Sequence, residues 1–297
     1  MPFWAGARSR GETHRARRRG ARVTSAGLAR TSIVNARSWV LVVAAVASDA
    51  HACRSPGSSP VPEARADEAV RPASGAVAVV ELFTSEGCSS CPPADAVLAE
   101  LARDGARPVY ALAFHVDYWD ELGWPDRFAS AGNTARQRVY ARAFAARGLY
   151  TPQMVVGGTE EFTGSDRGHA QEAVARALAH PAAVRLSLQP RRSAGDGVTV
   201  DYSAPGAPAD SLLSVAIVEH SASTSVRAGE NAGRMLHHAN VVRAFVSGPL
   251  TAATGSTVVR VPTSLRREDA EVMAYVQRPS GAGGGMPVLG AARAPLP

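Results

Sequence analysis

Two cysteines three residues apart, Cys88-Ser-Ser-Cys91, stand where an apolar run meets a helical pattern, and this junction constrains the chain more than any other stretch. The run is Val77-Ala-Val-Val-Glu-Leu-Phe83, a buried strand by its continuity. Pro92 to Arg103 follow, with Ala94, Val97, Leu98 and Leu101 on one helical face. A helix starting here puts the first sulfur near unpaired N–H groups and the positive end of the macrodipole, which favour a thiolate. The pair reads as a dithiol/disulfide site. Two blander readings compete with it. A closed zinc site needs four ligands, and no second C-x-x-C or H-x3-5-H pair exists. A short disulfide that only staples a turn in an oxidising compartment stays open as the alternative.

The chain is long enough for one large or two ordinary domains. Its net charge of +6 belongs to its beginning: residues 1–52 hold nine arginines against Glu12 and Asp49, and residues 53–297 come to −1. No basic face is left for nucleic acid. Within 1–52, Trp39-Val-Leu-Val-Val-Ala-Ala-Val-Ala47 precedes Ala50-His-Ala52, the apolar core and small-x-small end of a secretory signal. The apolar segment is too short to span a bilayer, so the expectation is a secreted or periplasmic protein cleaved near Ala52, with no stable membrane span. Cys53 follows the cleavage point, and a lipid anchor there is the minority option. Residues 53–75, rich in Pro, Ser, Ala and charge, read as a disordered linker.

Residues 76–181 alternate strand and helix. After the dithiol helix, Pro108–Val116 is a strand, and Asn133 or Thr134 caps a helix running through Arg147. Gln153–Val156 and Glu160–Thr163 flank a Gly157-Gly158 turn, and Asp166 caps a helix from Arg167 to Leu178. This order calls for an α/β sheet layered with helices. From 182 to 297 the pattern is short strands: Val184–Leu188, Val198–Tyr202, Leu212–Glu219, Asn240–Val246, Thr257–Val261 and Glu271–Gln277, separated by Gly, Pro, Ser and Asp. These predict a small, mostly antiparallel, sandwich-like β domain, with the domain break near 181.

The segments Glu81-Leu-Phe-Thr-Ser-Glu-Gly-Cys-Ser-Ser-Cys-Pro-Pro-Ala-Asp95, His115-Val-Asp-Tyr-Trp-Asp-Glu-Leu-Gly-Trp124, Arg136-Gln137, Tyr150-Thr-Pro-Gln153, Gly229-Glu-Asn-Ala-Gly-Arg234, His238-Ala-Asn-Val-Val-Arg243 and Gln277-Arg-Pro279 together resemble the DUF1223 family, secreted bacterial thioredoxin-like proteins of unknown function. The resemblance covers nearly everything after residue 76. It implies a thioredoxin-like domain over 76–181, in which Thr151-Pro152 is a cis-proline loop facing the dithiol and pairing with a substrate chain. The chain departs from the best-known thioredoxins in its Ser-Ser dipeptide, in lacking a tryptophan before Cys88, and in the Pro92-Pro93 that follows Cys91. Should the helix begin at Pro92, Cys88 lies a turn outside it and gains less from the dipole.

The function this implies is a thiol-disulfide oxidoreductase acting on protein thiols and disulfides through a mixed disulfide, with no organic cofactor and no resident metal. Cys88 is the exposed attacking thiolate, Cys91 the resolving thiol, Thr151 and Pro152 position the substrate, and Asp117 is a proton relay. Trp119, Trp124 and Tyr150 are candidate substrate contacts, His115 and Glu86 further neighbours. The polar set Arg227, Glu230, Asn231, Arg234, His237 and His238 reads as a hydrogen-bonded loop bridging the domains. The rival is a non-enzymatic binding protein or copper chaperone, its dithiol a staple or, with His115, a Cu(I) site.

Overall fold

A computed structural model describes residues 75–279 and 283–297. The expected leader, Cys53 and nearly all of the linker lie outside the described residues. The first half contains β1 (Ala78–Thr84), α1 (Pro92–Arg103), β2 (Val109–His115), a 3-10 turn (Asp117–Leu122), α2 (Ala131–Ala143), β3 (Gln153–Val156), β4 (Glu160–Thr163) and α3 (Arg167–Leu178). Then come β5 (Ser187–Arg192), β6 (Gly197–Ser203), β7 (Leu212–Ser225), β8 (Met235–Pro249), β9 (Thr254–Arg260), β10 (Ala270–Gln277) and β11 (Val288–Pro295).

Every residue of β1 and β2 is buried, as expected for strands covered on both faces. Alternation sorts their side chains. Ala78, Val80, Leu82, Ala111 and Ala113 pack with Val97, Leu98 and Leu101 of α1 and with α3, while Val79, Phe83, Leu112 and Phe114 pack with Tyr140 of α2 and with Tyr275 of β10. Thr84 and His115 end the two strands in register, both on the α1 side.

The chain is mixed α/β, and its large sheet does not stop at residue 181. Eight strands run β11-β10-β7-β8-β2-β1-β3-β4, with β2 and β8 meeting in parallel through Ala113 and Val241. Three more, β5-β6-β9, form a second antiparallel sheet whose Leu188, Val198, Val200 and Val259 pack on Val215, Ile217, Val272 and Ala274 of the first. The C-terminal half is thus a sandwich, as its Val-rich alternation predicts. One of its faces belongs to a sheet shared with the dithiol half.

Three local differences from the sequence reading have simple causes. Ser130 caps α2, its hydroxyl accepting from Asn133 N, and the helix stops at Ala143 because Ala145 turns at φ 55°. β5 lies three residues later than its apolar run. β11 is too poor in β-branched residues to be read as a strand, and its pairing with β10 comes from the tertiary fold.

Candidate functional site

Cys88 and Cys91 form a disulfide with Cα atoms 5.4 Å apart, within the ordinary range. α1 begins at Pro92, with Cys91 at its N-cap; the Cys91 carbonyl accepts from Ala94 and Asp95 N–H. Proline is tolerated here because first-turn amides have no helical acceptor. Cys88 therefore lies outside the helix, held by its own N–H on Ser85 O and by the Cys91 N–H on its carbonyl.

The expectation of an exposed Cys88 is overturned. Both cysteines are 0 % exposed. The tip joining β7 and β8, residues 226–234, meets the dithiol loop from 141 and 143 residues away in sequence. Asn231, itself fully buried, donates from Nδ2 to the carbonyls of Glu86 and Cys88, each at 2.9 Å, and Glu230 Oε2 accepts from Ser89 N at 2.9 Å. Arg234 Nη1 steadies Asn231 through its Oδ1 at 2.7 Å. Gly229 sits at φ 73°, where a Cβ would come within 3.1 Å of the Trp124 side chain, so the tip can lie this close only with glycine there. The polar set read as a bridging loop thus bonds directly to the dithiol loop through Glu230, Asn231 and His238.

Beneath the disulfide lies a buried titratable cluster. Glu86 Oε2 accepts from Trp124 Nε1 at 2.8 Å, and its Oε1 lies 3.2 Å from His238 Nε2. The other ring nitrogen of His238 is 3.9 Å from Asp95 Oδ2 and has no hydrogen-bond partner among the described residues, while Asp95 Oδ1 accepts from Thr84 Oγ1 at 2.8 Å. His115 stands beside His238, ring centroids 4.8 Å apart, and pairs through Nδ1 with Asp126 Oδ2 at 2.6 Å. Asp126 also accepts from the N–H groups of Glu86 and Phe128.

Burial raises the Asp95 carboxyl above the usual range, only partly opposed by His238, His115 and the Thr84 hydroxyl. Burial pushes the other way on His115, but the adjacent Asp126 outweighs it and keeps the imidazolium favoured. Desolvation would also raise Asp126 and Glu86. His115 and two backbone donors hold the first down, and hydrogen bonds from His238 and Trp124 the second.

The other sequence candidates distribute around this centre. The Thr151–Pro152 peptide is cis, and Thr151 Oγ1 accepts from Trp119 Nε1 at 2.8 Å. Trp119 in turn packs on Gly87, whose Cβ, if present, would be 3.3 Å from the tryptophan Cβ. Trp119 and Trp124 thus border the dithiol loop, and Thr151 stands behind Trp119. Tyr150 is drawn to Glu161 through its hydroxyl, and its carbonyl accepts from Gln137. Asp117 is bound to Thr134 of α2, through both its N–H and its Oδ1, rather than to the dithiol loop. The carboxyls set against that loop are Glu86 and Asp95. Asp95 had a legible signal, an acid interrupting the apolar stripe of α1 one turn after Cys91; Asp126 had none. His115 is turned into the core with Nδ1 on Asp126, so the Cu(I) reading loses its third ligand. Among the described residues no three His, Cys, Asp or Glu side chains are grouped to hold a metal ion, and no helix there is long and apolar enough to cross a membrane.

The family model described as a protein of unknown function (DUF1223) matches residues 79–277. Among solved structures, the crystal structure of protein AGR_C_4864 from Agrobacterium tumefaciens is similar at 31% identity and TM-score 0.54, covering 73% of this chain and 94% of that one. HBP35 of Porphyromonas gingivalis aligns at 15% identity and TM-score 0.49, over 75% of this chain and 76% of its own. No match was found among curated proteins.

Proposed function

The chain belongs to the DUF1223 family, and from that premise we propose that it is a thiol-disulfide oxidoreductase whose dithiol is closed by a movable cover. The observation that carries this reading is the nature of the cover. A single hairpin tip is held to the backbone of the dithiol loop by three hydrogen bonds, two donated by Asn231 and one accepted by Glu230, and each of the two from Asn231 contributes only about 1 kcal/mol net. Displacing the tip uncovers Cys88 between the Trp119/Thr151 side and the tip itself. A substrate thiolate then attacks Cys88 Sγ, breaking the Cys88–Cys91 bond and forming a mixed disulfide as Cys91 leaves. The substrate's second thiol attacks its own bonded sulfur and frees Cys88. Two electrons pass to the cysteine pair and the substrate leaves as a disulfide. Thr151 and Pro152 line the substrate chain, and the leader places the protein in a secreted or periplasmic setting. Protein dithiols are the substrate class.

Exposure of 0 % at both sulfurs favours a second reading, a structural staple. Reduction by millimolar dithiothreitol under native conditions, followed by acid quench and alkylation, separates the two. The redox reading expects the pair to open in the folded protein, and Cys91→Ser, whose Cys88 is a free thiol, to form a mixed disulfide at Cys88 when offered a disulfide such as oxidised glutathione, which releases one thiol in exchange. A disulfide that opens only on unfolding, in the wild type and in Asn231→Ala alike, leaves the staple.

A further inference from the structure

The second half of the chain does more than cover the dithiol: it contributes His238, a buried imidazole from β8 set between Glu86, two residues before Cys88, and Asp95, four residues after Cys91. Positions four apart on a helix share a face, so Asp95 lies on the Cys91 side of the first turn of α1. The sulfurs are sealed, yet Asp95 borders a surface groove between α1 and the start of β8, lined also by Pro92, Arg234, Met235 and His237. The exposed Met235 marks the mouth of the groove. Protons can reach Asp95 by a route that substrate does not use.

We propose that Asp95 supplies the proton taken up by Cys91 when the disulfide opens, and that His238 is a positioning residue that stabilises the Asp95 carboxylate left behind. The inference rests on the redox reading above. In balance, attack on Cys88 expels Cys91 as a thiolate, the Asp95 carboxyl gives it a proton, and the groove returns one from water. Cys88, released in the second step, takes the proton of the substrate's second thiol. The groups facing Asp95 are Thr84 from β1, His115 from β2, His238 from β8 and Asp126 from the connection before α2. Glu86 lies beyond His238, and Arg234 and His237 stand on the groove wall with Glu100 and Arg103 of α1. Burial keeps the carboxyl protonated to higher pH than a solvated aspartate, and the imidazole opposes this.

The test is the rate of reduction of the full chain by dithiothreitol, expressed per dithiothreitol thiolate, across pH 4.5 to 9 (roughly the span over which shifted carboxyls and imidazoles titrate). The wild type should lose rate as pH rises through one ionisation. Asp95→Asn should be flat and about 100-fold slower at the acid end, the usual scale of a general acid, while Asp95→Glu keeps the acid limb. His238→Gln should move that limb to higher pH, since the imidazole that opposes the effect of burial on Asp95 is gone. A flat wild-type profile, or an acid limb surviving in Asp95→Asn, overturns the assignment without needing any variant beyond that one to fold. An unmoved limb in His238→Gln removes the role of His238. Absence of reduction at every pH defeats the redox reading instead, so the two failures are distinguishable.

Discussion

Two buried polar clusters lie along β1, one at its middle and one at its C-terminal end, and they do different work. At Glu81 the carboxylate meets Arg136 Nη2 at 3.0 and 3.1 Å, and the same nitrogen reaches Tyr140, Tyr275 and Gln277. Tyr275 also donates to Glu81, and Gln277 donates to Tyr140 and to the Met286 carbonyl. This cluster ties β1, α2 and β10, that is, both halves of the chain. Burial pushes both tyrosine hydroxyls up, and the ion pair with Glu81 holds Arg136 charged against the same desolvation. Neither the guanidinium nor the two phenols change charge near neutral pH. Beneath the dithiol, by contrast, three carboxyls and two imidazoles sit together, with His115 Nε2 and His238 Nδ1 unpartnered among the described residues. A buried carboxyl raised above its usual range, Asp95, beside an imidazole held toward its charged form, His115, can take up and release protons; a set built on guanidinium and phenol holds the fold.

The sharpest way to break this comparison is to remove the guanidinium. Arg136→Met leaves Glu81 buried without its charge partner and should cost about 3–5 kcal/mol, read by urea denaturation with the disulfide intact. A loss under about 1 kcal/mol would mean the first cluster is not the tie between the halves. Next in size is the His115–Asp126 pair. The imidazolium is favoured in the fold, so its stabilisation is full below the unfolded histidine value of about 6.5 and fades as pH rises through the raised folded value. Asp126 is depressed, so its share is present above the unfolded aspartate value of about 3.9 and fades as pH falls through the lowered one. His115→Gln should therefore cost about 1.5–3 kcal/mol at pH ~5.2, midway between those values, and less in alkaline solution. A pH-independent cost would show that the second cluster does not titrate as the comparison requires. The smallest effect belongs to the cover. Asn231→Ala removes two of the three latch bonds, should lower stability by about 2 kcal/mol, and should raise the rate of disulfide reduction about 30-fold. A rate unchanged by that substitution would mean the tip is not what limits access.

The divergence between clusters also marks how far the sequence could be read. The dithiol, the strand before it and the helix after it were legible because each is a local pattern: an apolar run, a C-x-x-C, an apolar stripe at helical spacing. Thr151 was placed near the site by the resemblance and Trp119 and Trp124 by their place beyond a strand end; the two tryptophans touch Gly87 and Glu86, and Thr151 bonds to Trp119. Asp117 was chosen over Asp95 because it stands at a strand end, where sites gather, whereas Asp95 shows itself only as a break in a helical stripe. The expectation of an exposed Cys88 failed for a different reason. No property of residues 85–95 reveals that a hairpin tip arrives from residues 226–234.

By itself the amino-acid sequence determined what is short-ranged: which segments other than β11 are strands or helices, where α1 and α3 begin, and that two thiols close enough to join sit at a strand-to-helix junction. Side-chain periodicity and capping act over a few residues, so they are written locally. Only the tertiary structure decided that one sheet runs through both halves, that Glu81 finds Arg136, and that Glu230, Asn231 and His238 close over and beneath the sulfurs. Those pairings depend on burial and on charges meeting from 55 to 152 residues apart, and they exist only once the chain has folded.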